Sequence, residues 1–185
     1  MFNRFLSPSG LYDEKAFYEA FLRDVAHAKS RVVIESPFIT ARRFETLERV
    51  IAKISQRGVR VVVNTREPEA HDSLMREQAI DCVEKLQLMG VAVLYTANLH
   101  RKIAIVDDIL WEGSLNILSQ NDSCEIMRRT ASPDAVAQMI RFIKLSQWYN
   151  QGMQLCDILR FFTLRMQPEN LHCLCLNPQK LQSIR

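Results

Sequence analysis

The run Val59-Arg60-Val61-Val62-Val63-Asn64-Thr65 limits the possible folds of this chain more than any other stretch. It is short, β-branched and almost continuously apolar, the pattern of a strand buried on both faces, and such strands occur where helices cover both sides of a sheet. Its flanks supply the helices. Before it, Phe44, Leu47, Val50, Ile51 and Ile54 recur at helical spacing and Gly58 ends the segment. After it come Met75, Ala79, Val83 and Leu86, with Ser73 as the expected cap and Gly90 as the stop. The alternation continues in both directions. A helix over about 12–29, with Phe17, Phe21 and Val25 on one stripe, precedes a strand over 31–36 that Pro37 ends, and 91–95 reads as a further strand. From residue 99 to about 130, two or three strands follow one another without helices. A helix over about 134–149 (Val136, Met139, Ile140, Ile143) and another over about 151–164 close the pattern. The expected fold class is α/β, a mixed β-sheet sandwiched between helices.

A length of 185 residues implies one domain and an appendage, and we expect a catalytic domain over 1–150 with a C-terminal helix and tail over 151–185. At 48% hydrophobic and 24% charged the composition excludes disorder and collagen-like repeats. No stretch reaches the length of a membrane span, and the N-terminus has no apolar core before Ser7-Pro8-Ser9-Gly10, so the expected address is the cytoplasm. The net charge of +3 is uneven: residues 126–185 hold eight Lys/Arg against three Asp/Glu. That surplus suits a polyanion as well as it suits a solvated helix face. Five cysteines without a secretory leader imply reduced thiols. Cys156, His172, Cys173 and Cys175 raise a zinc question, but Cys-x-Cys without a matching pair departs from structural zinc spacing, and the reading is no metal and no cofactor.

The chemistry gathers in His100-Arg101-Lys102-Ile103-Ala104-Ile105-Val106-Asp107. Read as a strand, the segment puts His100 and Lys102 on one face and Asp107 on the other, which favours a structural part for Asp107. Further on stand Trp111-Glu112-Gly113-Ser114-Leu115-Asn116 and then Glu125. Together these residues resemble the His-x-Lys-x4-Asp signature of the phospholipase D superfamily with the Gly-Ser-x-Asn that follows it, and the likeness extends over about 11–150. Five residues separate Asp107 from Gly113, one fewer than the superfamily's usual spacing, so a shortened turn is expected between them.

The resemblance implies the α/β fold of that superfamily and metal-independent phosphodiester chemistry. His100 would attack phosphorus, because imidazole is a competent nucleophile near neutral pH. Lys102 and Asn116, with Ser114 as a further donor, would meet the charge that develops on the phosphoryl oxygens. Glu125 is the candidate carboxylate to hold the imidazole, the part played by the acid of a triad. The superfamily's chemistry pairs two histidines, whereas this chain has one His-x-Lys-x4-Asp; His27-Ala28-Lys29 lies on the expected first helix and has Ile34 where the Asp would stand, and His71 and His172 lack the following Lys. The implied partner is a second copy, in a homodimer with a composite active site. Small single-motif relatives are typically nucleases, so nucleic acid is the implied substrate, with Arg42, Arg43, Arg66, Arg128 and Arg129 as candidate phosphate contacts or simply solvated surface. Trp111 and Phe38 are candidates for base stacking, with core packing the favoured reading for both. Two alternatives stay open: phosphatidyl transfer on lipids by the same chemistry, and a catalytically silent nucleic-acid-binding module.

Overall fold

The computed structural model describes residues 9–119 and 124–144. The elements run β1 (Ser9–Tyr12), α1 (Glu14–Ala26), β2 (Arg31–Glu35), α2 (Ala41–Gln56), β3 (Arg60–Thr65), a short 3-10 turn (Pro68–Ala70), α3 (Ser73–Leu88), β4 (Ala92–Tyr95), β5 (Ile103–Val106), β6 (Ile109–Gly113), β7 (Met127–Ala131) and α4 (Pro133–Phe142). The expected helix over 151–164, the tail and the four cysteine and histidine residues of the zinc question lie outside the described residues, as does the end of the expected 134–149 helix.

The seven strands form one sheet in the order β1-β7-β6-β5-β2-β3-β4. The three strands separated by helices, β2, β3 and β4, are parallel, and β5, β6 and β7 pair antiparallel in succession. The sheet is therefore mixed, as the sequence pattern implies, because short connections permit only antiparallel neighbours. Period-2 alternation divides the apolar residues between two layers. Val32, Ile34, Val61, Val63, Ala104, Val106 and Trp111 pack under α1, α2 and α3, whereas Val33, Val62, Ala92, Ile103, Ile105 and Leu110 pack against Val136 and Ile143 of the α4 segment. Both faces of β3 are covered, which is why its sequence shows no polar alternation. Trp111 sits fully buried against Tyr12, Phe17 and Phe21, with ring centroids 5.0, 5.1 and 6.2 Å away, and so belongs to the core.

Three boundaries depart from the sequence pattern. The first helix begins at Glu14, capped by Asp13, whose side chain accepts from the Ala16 amide at 2.8 Å. The polar residues before it form β1, a strand that alternation alone does not reveal because only four residues pair with β7. The third helix is capped by Asp72 and not by Ser73: its carboxylate accepts from Met75 N at 2.9 Å, which places Ser73 at the first helical position. The strand expected to start at His100 starts at Ile103, because its partner β2 ends at Glu35 and the Glu35–Ile103 pair is the last rung of that ladder.

The shortened spacing after Asp107 is absorbed by a tight hairpin. Val106 pairs with Ile109, so Asp107 and Asp108 alone make the turn, and Asp107 takes φ 50°, the left-handed region that Asp tolerates better than most residues. Its carboxylate accepts from Lys29 N (2.8 Å), Ser30 N (2.9 Å), Ser30 Oγ (2.7 Å) and Arg31 N (3.0 Å). It thereby fastens the hairpin to the start of β2.

Candidate active site

Because β2, β3 and β4 run one way and β5 and β7 run the other, the ends of the first set and the starts of the second share one edge of the sheet. Glu35, Arg66, Tyr95, the residues before Ile103, those after Gly113 and those before Met127 all arrive there. A cleft of about 650 Å³ opens at this edge, lined by His100, Lys102, Gly113, Ser114, Asn116 and Glu125 together with Arg101, Glu112, Met139 and Phe142. The five side chains singled out from the sequence for chemistry are thus brought into one cavity.

His100 is exposed and Lys102 is buried behind it. Lys102 Nζ donates to the His100 carbonyl oxygen at 2.8 Å and stands 3.3 Å from His100 Nδ1. Outside the ladder, this contact fixes the turn that faces both side chains into the cleft. Burial lowers the pKa of Lys102; the Glu125 carboxylate opposes that shift and Arg66 adds to it. Glu125 therefore acts on Lys102 electrostatically and lines the same cavity.

Arg101, between the two, turns away to Glu35. Its Nε and NH2 reach the two carboxylate oxygens at 2.6 and 2.9 Å, and Glu35, 1% exposed, also accepts from Asn64 Nδ2 at 2.7 Å. Asn64 Oδ1 in turn accepts from Thr96 Oγ1 at 3.0 Å. A chain of hydrogen bonds across β2, β3 and the loop after β4 thus anchors the middle residue of the His-x-Lys segment.

The loop after β6 is held as firmly. Gly113 lies where a Cβ would come within 2.1 Å of the Ile126 carbonyl oxygen and 2.9 Å of Met127 Cα, so only glycine allows the approach of β7. Ser114 N donates to Ile126 O at 3.0 Å and Ser114 Oγ accepts from Ile126 N at 3.1 Å. Tyr18 of α1 donates to the Ile117 carbonyl at 3.1 Å, and Ser36, fully buried at the end of β2, receives Leu118 N on its Oγ at 3.1 Å. Asn116 is held between these clamps, 8% exposed, with an Oδ1 that is buried and has no hydrogen-bond partner among the described residues. An amide kept in that condition is costly unless something polar meets it.

A family profile described as "Cardiolipin synthase, PLD-like domain" matches residues 21–146, more than half of the chain. The chain belongs to the phospholipase D superfamily. Comparison with curated proteins finds no match. Among solved structures it is similar to Nuc from Salmonella typhimurium, a phospholipase D family member, with TM-score 0.61 and 18% identity over 76% of this chain and 92% of that one. It is also similar to NucT from Helicobacter pylori, with TM-score 0.54 and 18% identity over 79% of this chain and 95% of the other. Phosphatidylserine synthase from Haemophilus influenzae gives TM-score 0.59 and 14% identity over 75% of this chain but 37% of that chain. These likenesses show the fold.

Within this phospholipase D-like domain the candidate arginines separate. Arg43 pairs with Glu14 at 2.9 Å and lies 3.5 Å over the Tyr18 ring. Arg129 is gripped by both oxygens of Asp24, at 2.8 and 3.1 Å, beside Trp111. Both are engaged in holding α1 to its neighbours. Arg128 is exposed on β7 with its NH1 donating to Ser9 Oγ at 3.2 Å, and Arg42 is exposed on the first turn of α2. Arg66 alone reaches the His-x-Lys loop, donating from Nε to the Leu99 carbonyl at 2.7 Å. Phe38 departs from the core reading: it is half-buried, and its ring contacts are His71 at 5.2 Å and Arg66 at 5.1 Å. Glu35, Ser36, Asn64 and Tyr18 were not singled out from the sequence. The one available signal was Glu35-Ser36 closing an otherwise apolar strand, where a charge is rare without a partner.

Proposed function

We propose that this domain is a metal-independent phosphodiesterase that cleaves nucleic acid through a phosphohistidine on His100. The observation that carries the reading is the convergence of His100, Lys102, Ser114, Asn116 and Glu125 on one cleft. An imidazole nitrogen of His100 forms a bond to phosphorus while the bond from phosphorus to the leaving oxygen breaks. Lys102 and the amide of Asn116 meet the charge on the phosphoryl oxygens. A substrate phosphate competes for the Lys102 ammonium now beside His100 Nδ1, leaving that nitrogen to carry the proton and donate to Glu125, as in a triad. The leaving oxygen takes its proton from His100 of a second copy across a two-fold axis. Water then attacks phosphorus, gives its proton back to that group and breaks the phosphorus–nitrogen bond.

The nucleic-acid reading is supported by the likeness to Nuc and NucT, which extends over nearly the whole of those chains. The test is hydrolysis of bis(p-nitrophenyl) phosphate and of plasmid and single-stranded DNA, with EDTA present, by wild type and His100→Ala. Cleavage that survives the chelator and vanishes in the variant is expected; activity that disappears with EDTA and returns with Mg²⁺ contradicts the mechanism.

A second reading, phosphatidyl transfer, is favoured by one observation: Phe142, 71% exposed, and Met139 stand at the cleft beside the polar groups. Turnover of phosphatidylglycerol vesicles with no cleavage of any oligonucleotide would select it.

A further inference from the structure

Three flat side chains stand together outside both apolar layers, at the edge of the sheet that carries His100. Phe38 follows β2, Arg66 follows β3 and His71 follows the short 3-10 turn. The Arg66 guanidinium carbon lies 5.1 Å from the centre of the Phe38 ring, and the His71 ring centre lies 5.2 Å from it at an interplanar angle of 44°. All three are half-buried, and Phe38 is absent from the apolar clusters that take up the other phenylalanines of the helical layer. The group is tied to the cleft in two ways. Arg66 Nε donates to the carbonyl of Leu99, the residue before His100, and the Arg66 charge acts on both Lys102 and His71.

We infer that Phe38, Arg66 and His71 form a platform for a nucleobase flanking the scissile phosphate, so that the domain binds single-stranded nucleic acid through base stacking as well as through phosphate. The inference rests on the nuclease reading above. Aromatic and guanidinium planes accept any base, because every base has a π-face, and the Arg66 charge, beside the carbonyl that precedes His100, suits the phosphate that links the stacked nucleoside to the attacked one. Burial and Arg66 both lower the pKa of His71, against a raising effect of Asp72. Sequence-independent stacking implies that the domain prefers single strands or frayed ends to intact duplex, whose bases are already stacked.

The test uses the full chain with His100→Asn, to prevent turnover, and fluorescence anisotropy with a short single-stranded oligonucleotide and with its counterpart lacking the central bases. In that background Phe38→Ala is expected to raise the Kd for the intact oligonucleotide about tenfold and to leave the Kd for the base-lacking one unchanged. Phe38→Trp should bind as the parent does. Phe38→Leu, which fills the space without stacking and so guards against a folding artefact, should behave as Phe38→Ala. Equal effects on both oligonucleotides, or none on either, overturn the platform while leaving cleavage by the wild type intact. If the wild type hydrolyses bis(p-nitrophenyl) phosphate or lipid but neither binds nor cleaves any oligonucleotide, the nuclease reading fails and the platform with it.

Discussion

Arg101 and Glu35 are the two residues whose removal separates positioning from chemistry. Glu35 is 1% exposed and its partner's side chain 40% exposed, so Arg101→Ala leaves a carboxylate buried with Asn64 alone, at a cost of about 3 kcal/mol. Glu35→Gln keeps the hydrogen bond to one side and removes the charge, and we expect a smaller loss of stability together with a fall in kcat at little change in KM, read from melting curves and steady-state kinetics. Asp107 gives a pH signature. Burial pushes its carboxyl up, but hydrogen bonds from Ser30, Arg31 and Lys29 outweigh it and hold the pKa at about 2 against the ordinary 3.8. A depressed carboxyl stabilises the fold above its unfolded value, so this contribution is complete above about pH 4 and is lost as the pH falls toward 2. Asp107→Asn should flatten the acid limb of stability in that window, while a limb identical to wild type would assign it to other carboxylates. The offset of Asp107 from His100 and Lys102 assumed an unbroken strand, whereas β5 spans Ile103–Val106 and Asp107 stands in the turn after it, where its hydrogen bonds come from the loop before β2. The Glu35–Arg101 pair was not legible in the sequence, because it joins β2 to a segment 66 positions away and no local spacing encodes such a contact.

At the scale of elements, the parallel half of the sheet was readable because helix and strand periods alternate cleanly from 31 to 95, whereas β1 escaped since its four residues gain their order from pairing with β7. The His-x-Lys segment was read as strand from its alternation, and the alternation does orient the side chains: His100 and Lys102 face the cleft and Arg101 faces Glu35. What the sequence pattern lacked was the pairing of β5 with β2, whose last rung is Glu35–Ile103. The spacing of Asp107 from Gly113 has a direct structural cause in the two-residue hairpin. Gly113→Ala tests the coupling of the β6–β7 pairing to the cleft. A Cβ there collides with backbone of β7, so the ends of β6 and β7 must separate and carry Ser114 and Asn116 out of register with His100. We expect at least a hundredfold loss of kcat with the far-ultraviolet spectrum retained; activity within a few-fold of wild type would show that the loop tolerates the displacement.

For the whole molecule, the chain offers one His-x-Lys-x4-Asp to a proposed mechanism that uses two histidines, and the expected assembly is a two-fold dimer whose clefts meet. Sedimentation velocity at assay concentrations should show the dimer; a turning-over monomer would require a general acid from within the chain and would overturn the two-copy account. Among the described residues no helix is long and apolar enough to cross a membrane. All of this depends on His100 forming a bond to phosphorus. The direct measurement is to stop turnover of a slow phosphodiester substrate with alkali, which preserves phosphohistidine, and to read the mass of the peptide that holds residue 100. A phosphoryl-ester adduct on His100, present in wild type and absent from His100→Ala, is the expected result; sustained turnover by wild type with no adduct on that peptide at any time would contradict the account.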